Sequence, residues 1–323
     1  MQAIMNEAKA KAIELLEKGE VSRVIGWKEG DFCYDCSPAT FTKENIDKFV
    51  YTEFCGANLS KYLIEESKKE GKILVFLKPC DTYSFNQLIQ EHRINRENVY
   101  VVGIECQGKV DIERIKAFGI DGVLSAKADG DKLIVDTLYG EKSIDKADVM
   151  LEKCLSCKGK KHVVYDELIG KEIDEAPKAR FDTVAQLEAM TEEERFAFWQ
   201  KELSKCIRCN ACRNVCPACS CVNCVFDNPN SNIEMKSNAN EFEEKLFHII
   251  RAWHVAGRCT DCGECSRVCP QSIPLHLINR KFIKDMNEFY GEYQAGEDTE
   301  TKAPLNSYKL EDREAHEFDK EDK

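Results

Sequence analysis

The chain has 323 residues, 18 of them cysteine, and a formal net charge of −12. That length accommodates two domains with cores of their own, so the cysteines are not needed as the staples of a small scaffold. The acidic balance argues against nucleic acid, whose phosphates demand a basic footprint.

Residues 1–20 are charged and amphipathic rather than a secretory signal, and no apolar run reaches the roughly eighteen residues a membrane span requires. The reading is a cytoplasmic chain without a membrane span. In a reducing compartment, tightly spaced cysteines point to metal or redox chemistry rather than disulfides.

In chain order, apolar residues at intervals of three and four predict a helix over 4–16, and a strand follows at 21–27. Two β-branched runs, Ile73–Leu77 and Val99–Ile104, read as buried parallel strands, each followed by turn chemistry and a helical pattern. Residues 132–136 add a hairpin-like edge strand. Residues 1–160 therefore form an α/β domain with a mainly parallel sheet. A polar linker with Gly170 and Pro177 is expected over 161–190. Thr191 and Glu194 form a capping box that opens a helix to about Leu203. Further helices are expected over 240–256 and Leu275–Tyr290, making 191–293 a mostly helical domain around a bacterial-type 2[4Fe-4S] ferredoxin module. The remainder, 294–323, is acidic, poor in large apolar groups and expected to be disordered.

The ferredoxin assignment rests on two identical runs. The first is Cys206, Cys209, Cys212 and Cys216-Pro217, and the second is Cys259, Cys262, Cys265 and Cys269-Pro270. Three cysteines at this spacing wrap three corners of a cubane, and the fourth, before proline, ligates the other cluster. Cluster one then takes Cys206, Cys209, Cys212 and Cys269, and cluster two takes Cys259, Cys262, Cys265 and Cys216. Structural zinc, the plainer alternative, pairs two Cys-x-x-Cys halves instead.

Ten cysteines remain. Cys219, Cys221 and Cys224 directly follow the first run and want a fourth partner. Cys55, beside Gly56, is the candidate for such a fourth cluster, against the simpler reading of buried thiols acting as small hydrophobes. Cys80 and Cys106 follow the two parallel strands, at the sheet edge where site residues converge, and with Cys154 and Cys157 complete a third set of four. A redox dithiol is the other meaning of Cys154-x-x-Cys157. Cys33 and Cys36 are left to packing, an accessory role or a thiol pair. The six histidines are scattered and suggest no catalytic arrangement, although His254 lies close enough in sequence to the second run to influence a cluster. Lys158, Lys160 and Lys161 either offset cluster charge or form a solvated run.

Several segments together carry a family resemblance. They are Leu77-Lys-Pro-Cys-Asp-Thr82, the stretch from Gln90 to Glu105-Cys-Gln-Gly108, Glu152-Lys-Cys-Leu-Ser-Cys157, Cys216-Pro-Ala-Cys-Ser-Cys-Val-Asn-Cys224 and Pro270-Gln-Ser-Ile-Pro274. In these the chain resembles the beta-subunit family of coenzyme F420-reducing hydrogenases and formate dehydrogenases, the formate dehydrogenase beta subunit above all, in shortened form. The resemblance implies an intrinsic cluster on Cys80, Cys106, Cys154 and Cys157. Members that reduce F420 hold a flavin, but the Gly-Gly segment and the longer stretch after the Cys-x-x-Cys that accompany it are not found here. Nor is a Gly-x-Gly-x-x-Gly fingerprint.

The expected function is an electron-transfer subunit. It would link a catalytic formate dehydrogenase or hydrogenase subunit to a flavoprotein or heterodisulfide reductase-type complex. The alternatives are an FAD-containing subunit that itself reduces F420 or a nicotinamide, and a metal-stabilised scaffold.

Overall fold

Consecutive buried β-branched residues cannot sit at a solvated edge, and the two such runs lie at the centre of a sheet. The computed structural model describes residues 1–173, 179–228 and 241–308. Strands β1 (Arg23–Glu29), β2 (Cys36–Phe41), β3 (Phe49–Val50), β4 (Ile73–Leu77), β5 (Val99–Ile104), β6 (Val123–Asp129), β7 (Lys132–Thr137), β8 (Gly140–Asp145) and β9 (Glu167–Ile169) fall into two sheets. The larger has the order β2-β1-β4-β5-β9, with β3 also on β1. Its four central and far strands run parallel, whereas β2 and β3 are antiparallel to β1. All five residues of β4 are buried.

The first helix, Gln2–Lys18, buries Ala8, Ala12, Leu15 and Leu16 in this core and stops at Gly19 in the left-handed conformation. The expected 132–136 edge strand is instead β7, the centre of an antiparallel meander β6-β7-β8. Leu133 and Val135 of β7 are buried there, while the strands on either side present mostly exposed residues, which conceals them in the sequence.

The 161–190 segment is more than a linker. It supplies β9, which pairs in parallel with β5 through Val102, Gly103 and Ile104, and Asp166 accepts a hydrogen bond from the Val101 amide at 2.7 Å. It also supplies the helix Asp182–Glu188, whose Val184 and Leu187 pack with Leu277. Beyond it the Thr191–Glu194 capping box is formed at the head of the helix Glu192–Leu203. The helices Glu241–Val255 and Leu275–Tyr290 follow as expected and pack together, with Trp253 edge-on to Phe282.

The expected disordered tail is ordered over its first part. Ala295 and Ala303 are buried, and the carbonyls of Glu297 and Thr301 accept hydrogen bonds from Asn86 and Gln90 of the helix Pro79–Gln90. Residues 309–323 lie outside the described residues. Gly296 holds a φ of +75°, and a Cβ there would stand 1.9 Å from the Tyr83 carbonyl oxygen. Gly296→Ala is therefore expected to cost about 1–3 kcal/mol and to free this strap. Limited proteolysis across 294–303, faster in the variant than in the wild type, checks it.

Candidate metal centres

Parallel register sets the first centre. Leu77 pairs opposite Gly103, so β4 and β5 end together at one sheet edge. Pro79 opens a helix just beyond β4 and places Cys80 in its first turn, while Cys106 stands two residues past β5. The short helix Glu152–Leu155 brings Cys154 to the same edge, with Cys157 just after it. All four cysteines line one cavity, together with Lys78, Lys109, Lys153, Lys160, Asp261 and Cys262.

Lys78 and Lys109 are buried and the Lys153 side chain is only 7% exposed, which is expensive unless negative charge is nearby. Lys78 pairs with buried Asp81 at 2.8 Å and stands 4.5 Å from the Trp27 ring. Lys109 donates to the Thr52 carbonyl at 2.7 Å and sits 3.6 Å over the Tyr51 ring. Burial pushes its ammonium below the ordinary lysine value, against the pull of Cys106 and Cys55. Burial also pushes the Cys80 thiol up, with Asp81 adding to the effect, and the Cys154 thiol up against Lys153. Metal ligation deprotonates such thiols, and the surrounding ammonium groups match the negative charge that results. A donor set of four sulfurs in a cationic pocket thus fits a thiolate-ligated iron–sulfur cluster. Among the described residues no group of three or more His, Cys, Asp or Glu side chains converges on a single metal ion.

The two cysteine runs fold alike. Arg208 and Asn210 in the first, and Asp261 and Gly263 in the second, occupy matching positions and all have positive φ, between 53° and 66°. Three of the four are not glycine, so both loops hold backbone strain of the kind found where a ligand must be wrapped tightly. Cys206, Cys209, Cys212 and, from the other run, Cys269 line a second cavity with Phe247 and His248. His248 Nε2 lies 3.3 Å from Cys206 Sγ. Burial, with Arg251 and Arg208 beside it, lowers its pKa to about 3 and keeps the ring neutral.

Cys259, Cys262 and Cys265 are raised mainly by burial, Cys262 to about 11 and Cys265 to about 12, and Cys216 adds to the effect on each. Cys216 itself is held below the ordinary thiol value, chiefly by a hydrogen bond from Cys219. The first set thus lines one cavity, and in the second Cys216 acts electrostatically on the other three thiols. Cys262 also faces the cavity of Cys80, Cys106, Cys154 and Cys157.

The structure parts the fourth expected set. Cys219, Cys221 and Cys224 line a cavity of about 340 Å³ with Lys61, Arg213, Arg251, His254 and Arg258. Cys55 is not among them. The turn it occupies follows β3, which is pinned to β1, and buries it in the sheet core with its sulfur accepting from the Thr52 amide at 3.2 Å. Its sulfur partner is Cys36, which also approaches Thr52 Oγ1 at 3.4 Å. Cys33 packs on the meander, near the Val123 carbonyl.

His254 faces the extension cavity rather than the second run, and Lys158 is buried, donating to the Thr260 carbonyl. Sequence reasoning missed Lys109, Lys153, His248, Arg251 and Glu264, because nothing in a local pattern distinguishes a buried charged residue from a surface one.

Residues 202–273 match the family model described as a 4Fe-4S dicluster domain. The chain is 26% identical to the F420-dependent formate dehydrogenase subunit beta of Methanocaldococcus jannaschii, over 84% of this chain and 86% of that one. It is 28% identical to the F420-dependent formate dehydrogenase 1 subunit beta of Methanococcus maripaludis, over 90% of each. A chain of the xenon-derivatised F420-reducing [NiFe] hydrogenase complex from Methanosarcina barkeri covers 61% of this chain and 84% of its own length, with 18% identity and a TM-score of 0.39. The protein is of the iron–sulfur electron-transfer subunit class. Within that class its curated relatives are formate dehydrogenase beta subunits, the resemblance the cysteine segments indicated.

Glu264, buried beside Cys265, joins the two halves. It accepts both a 2.9 Å Nε and a 2.9 Å Nη2 hydrogen bond from Arg267 and contacts Lys153, which also donates to the Gly56 carbonyl. Burial alone would raise its carboxyl, but Arg267 and Lys153 outweigh that and hold it below the carboxylate range. Glu264→Gln strands two cations and is expected to cost about 3–5 kcal/mol. A lowered urea midpoint at unchanged slope, followed by circular dichroism under anaerobic conditions, is the expected result.

Proposed function

We propose that this chain relays single electrons through a row of four-iron clusters. One is held by Cys80, Cys106, Cys154 and Cys157, and two by the crossed ferredoxin sets. The observation that carries this reading is the continuity of the sites: Cys262 of the second run faces the cavity of the α/β domain's four cysteines. When bound, clusters at these positions supply reversible one-electron storage. The chain's residues supply the rest. The thiols deprotonate to hold iron, Lys78, Lys109 and Lys153 balance the charge, and the buried walls exclude water and lower the dielectric around each site.

Cys219, Cys221 and Cys224 form a candidate for a further cluster, one that needs a fourth ligand other than Cys55. The partners in this reading are a catalytic subunit of formate dehydrogenase or hydrogenase type and an electron-accepting flavoprotein or heterodisulfide reductase-type complex. Function of this kind lies in the docked catalytic chain rather than in this fold.

The second reading is an FAD-containing subunit that reduces F420 or a nicotinamide itself. It is favoured by the two formate dehydrogenase relatives, both F420-dependent by name and matched over 84% and 90% of this chain.

Iron and flavin counts on anaerobically purified chain separate the two readings. About twelve iron atoms per chain and no flavin are expected, with about four more if the Cys219 set is loaded, whereas stoichiometric FAD favours the second reading. Cys80→Ser with Cys157→Ser is expected to remove about four iron atoms and leave the ferredoxin-type EPR signals in place. Retention of all iron in that variant overturns the third site.

A further inference from the structure

Arg251, on the helix Glu241–Val255, is only 2% exposed, yet its Nε and both Nη atoms lack any hydrogen-bond partner. A buried guanidinium with all its donors idle is rare, because an unpaired buried charge costs several kcal/mol. Four thiols lie near it. The groups acting on it are Cys265, Cys212, Cys216 and Cys219, opposing the effect of its burial. Cys212 belongs to one crossed set, Cys216 and Cys265 to the other, and Cys219 to the extension that follows.

By contrast, Arg280, also buried, is paired with Asp261 at 3.0 Å. Arg258, which shares the extension cavity with Arg251, is paired with Glu91 at 2.6 Å. Arg251 alone of these three has no carboxylate partner among the described residues.

We propose that Arg251 is a positioning residue shared by the two ferredoxin-type clusters. It stands as a fixed cation beside their ligand sulfurs, its idle donors free for sulfurs once clusters are loaded, and raises both reduction potentials together. Reduction adds one electron to a cluster, with no bond made or broken, so the cluster's negative charge grows and the fixed cation beside it favours the reduced form. Five donors in a planar fork allow one guanidinium to reach sulfurs of both sets, which a single ammonium does less well. Because the charge is common to both clusters, it moves the pair in step and preserves the difference between them.

This rests on the cluster reading above, and the test separates the two. Anaerobic full-length wild type, Arg251→Met and Arg251→Lys are titrated with dithionite and followed by EPR, with iron counted on each sample. Arg251→Met is expected to keep its iron and to shift both ferredoxin-type potentials negative by at least tenfold in the reduction equilibrium, about 59 mV for a one-electron couple. Arg251→Lys, which keeps the charge and loses the fork, shifts both by less. If Arg251→Met loses its clusters, Arg251→Lys carries the test: it must assemble and still titrate below wild type. Full iron with unmoved potentials in Arg251→Met, a shift of one cluster alone, or wild-type potentials in Arg251→Lys when Arg251→Met does not assemble overturns the proposal. Wild type without iron or EPR signals overturns the cluster reading instead.

Discussion

The parallel pairing of β4 with β5 is the constraint on which the arrangement of sites depends. Parallel strands in register finish at one edge, so two cysteines 26 positions apart in sequence reach a common cavity without any local motif to bring them together. The chain beyond each strand then needs only a short turn to present its sulfur. The Cys154–Cys157 segment closes over the same edge because Leu151 and Asp111 hydrogen-bond back across the Val110–Met150 bridge. A slip of one residue between β4 and β5 would send their side chains to opposite faces and disperse the set.

Buried charges tie the second half to that edge. Glu264 binds Lys153 of the α/β domain and Arg267 of its own run, and Asp261 holds Arg280, whose Nη1 donates to Ser156 Oγ of the α/β domain at 2.7 Å. Both acids lie inside the second cysteine run, in the loop that wraps its sulfurs. The residues that shape the loop therefore also dock it. This explains how a strained loop with two positive-φ residues is held in one conformation against the α/β domain.

Much of this was legible in the sequence wherever the cause is local. The β-branched runs, the capping box and the amphipathic helices rest on periodicity, and each run's cysteine spacing repeats in the matched backbone angles of Arg208, Asn210, Asp261 and Gly263. What failed to show depends on distance along the chain. β9 has three residues and exists because β5 offers it an edge. The strap at 294–303 is polar, and it is ordered by the helix it crosses rather than by its own composition. Cys55 looked available for the extension because glycine follows it, but the β3–β1 pairing commits it to Cys36. Lys109, Arg251 and Glu264 read as ordinary surface charges until the fold buries them.

The buried lysines around Cys80, Cys106, Cys154 and Cys157 carry a further consequence for how the chain comes to exist at all. Lys78 has Asp81 and Lys153 has Glu264 as counter-charge, whereas Lys109 has only a carbonyl and an aromatic ring. In the proposed cluster reading, the thiolates supply the charge that Lys109 lacks. In that reading metal loading adds to the stability of the fold, and chelation of iron lowers it.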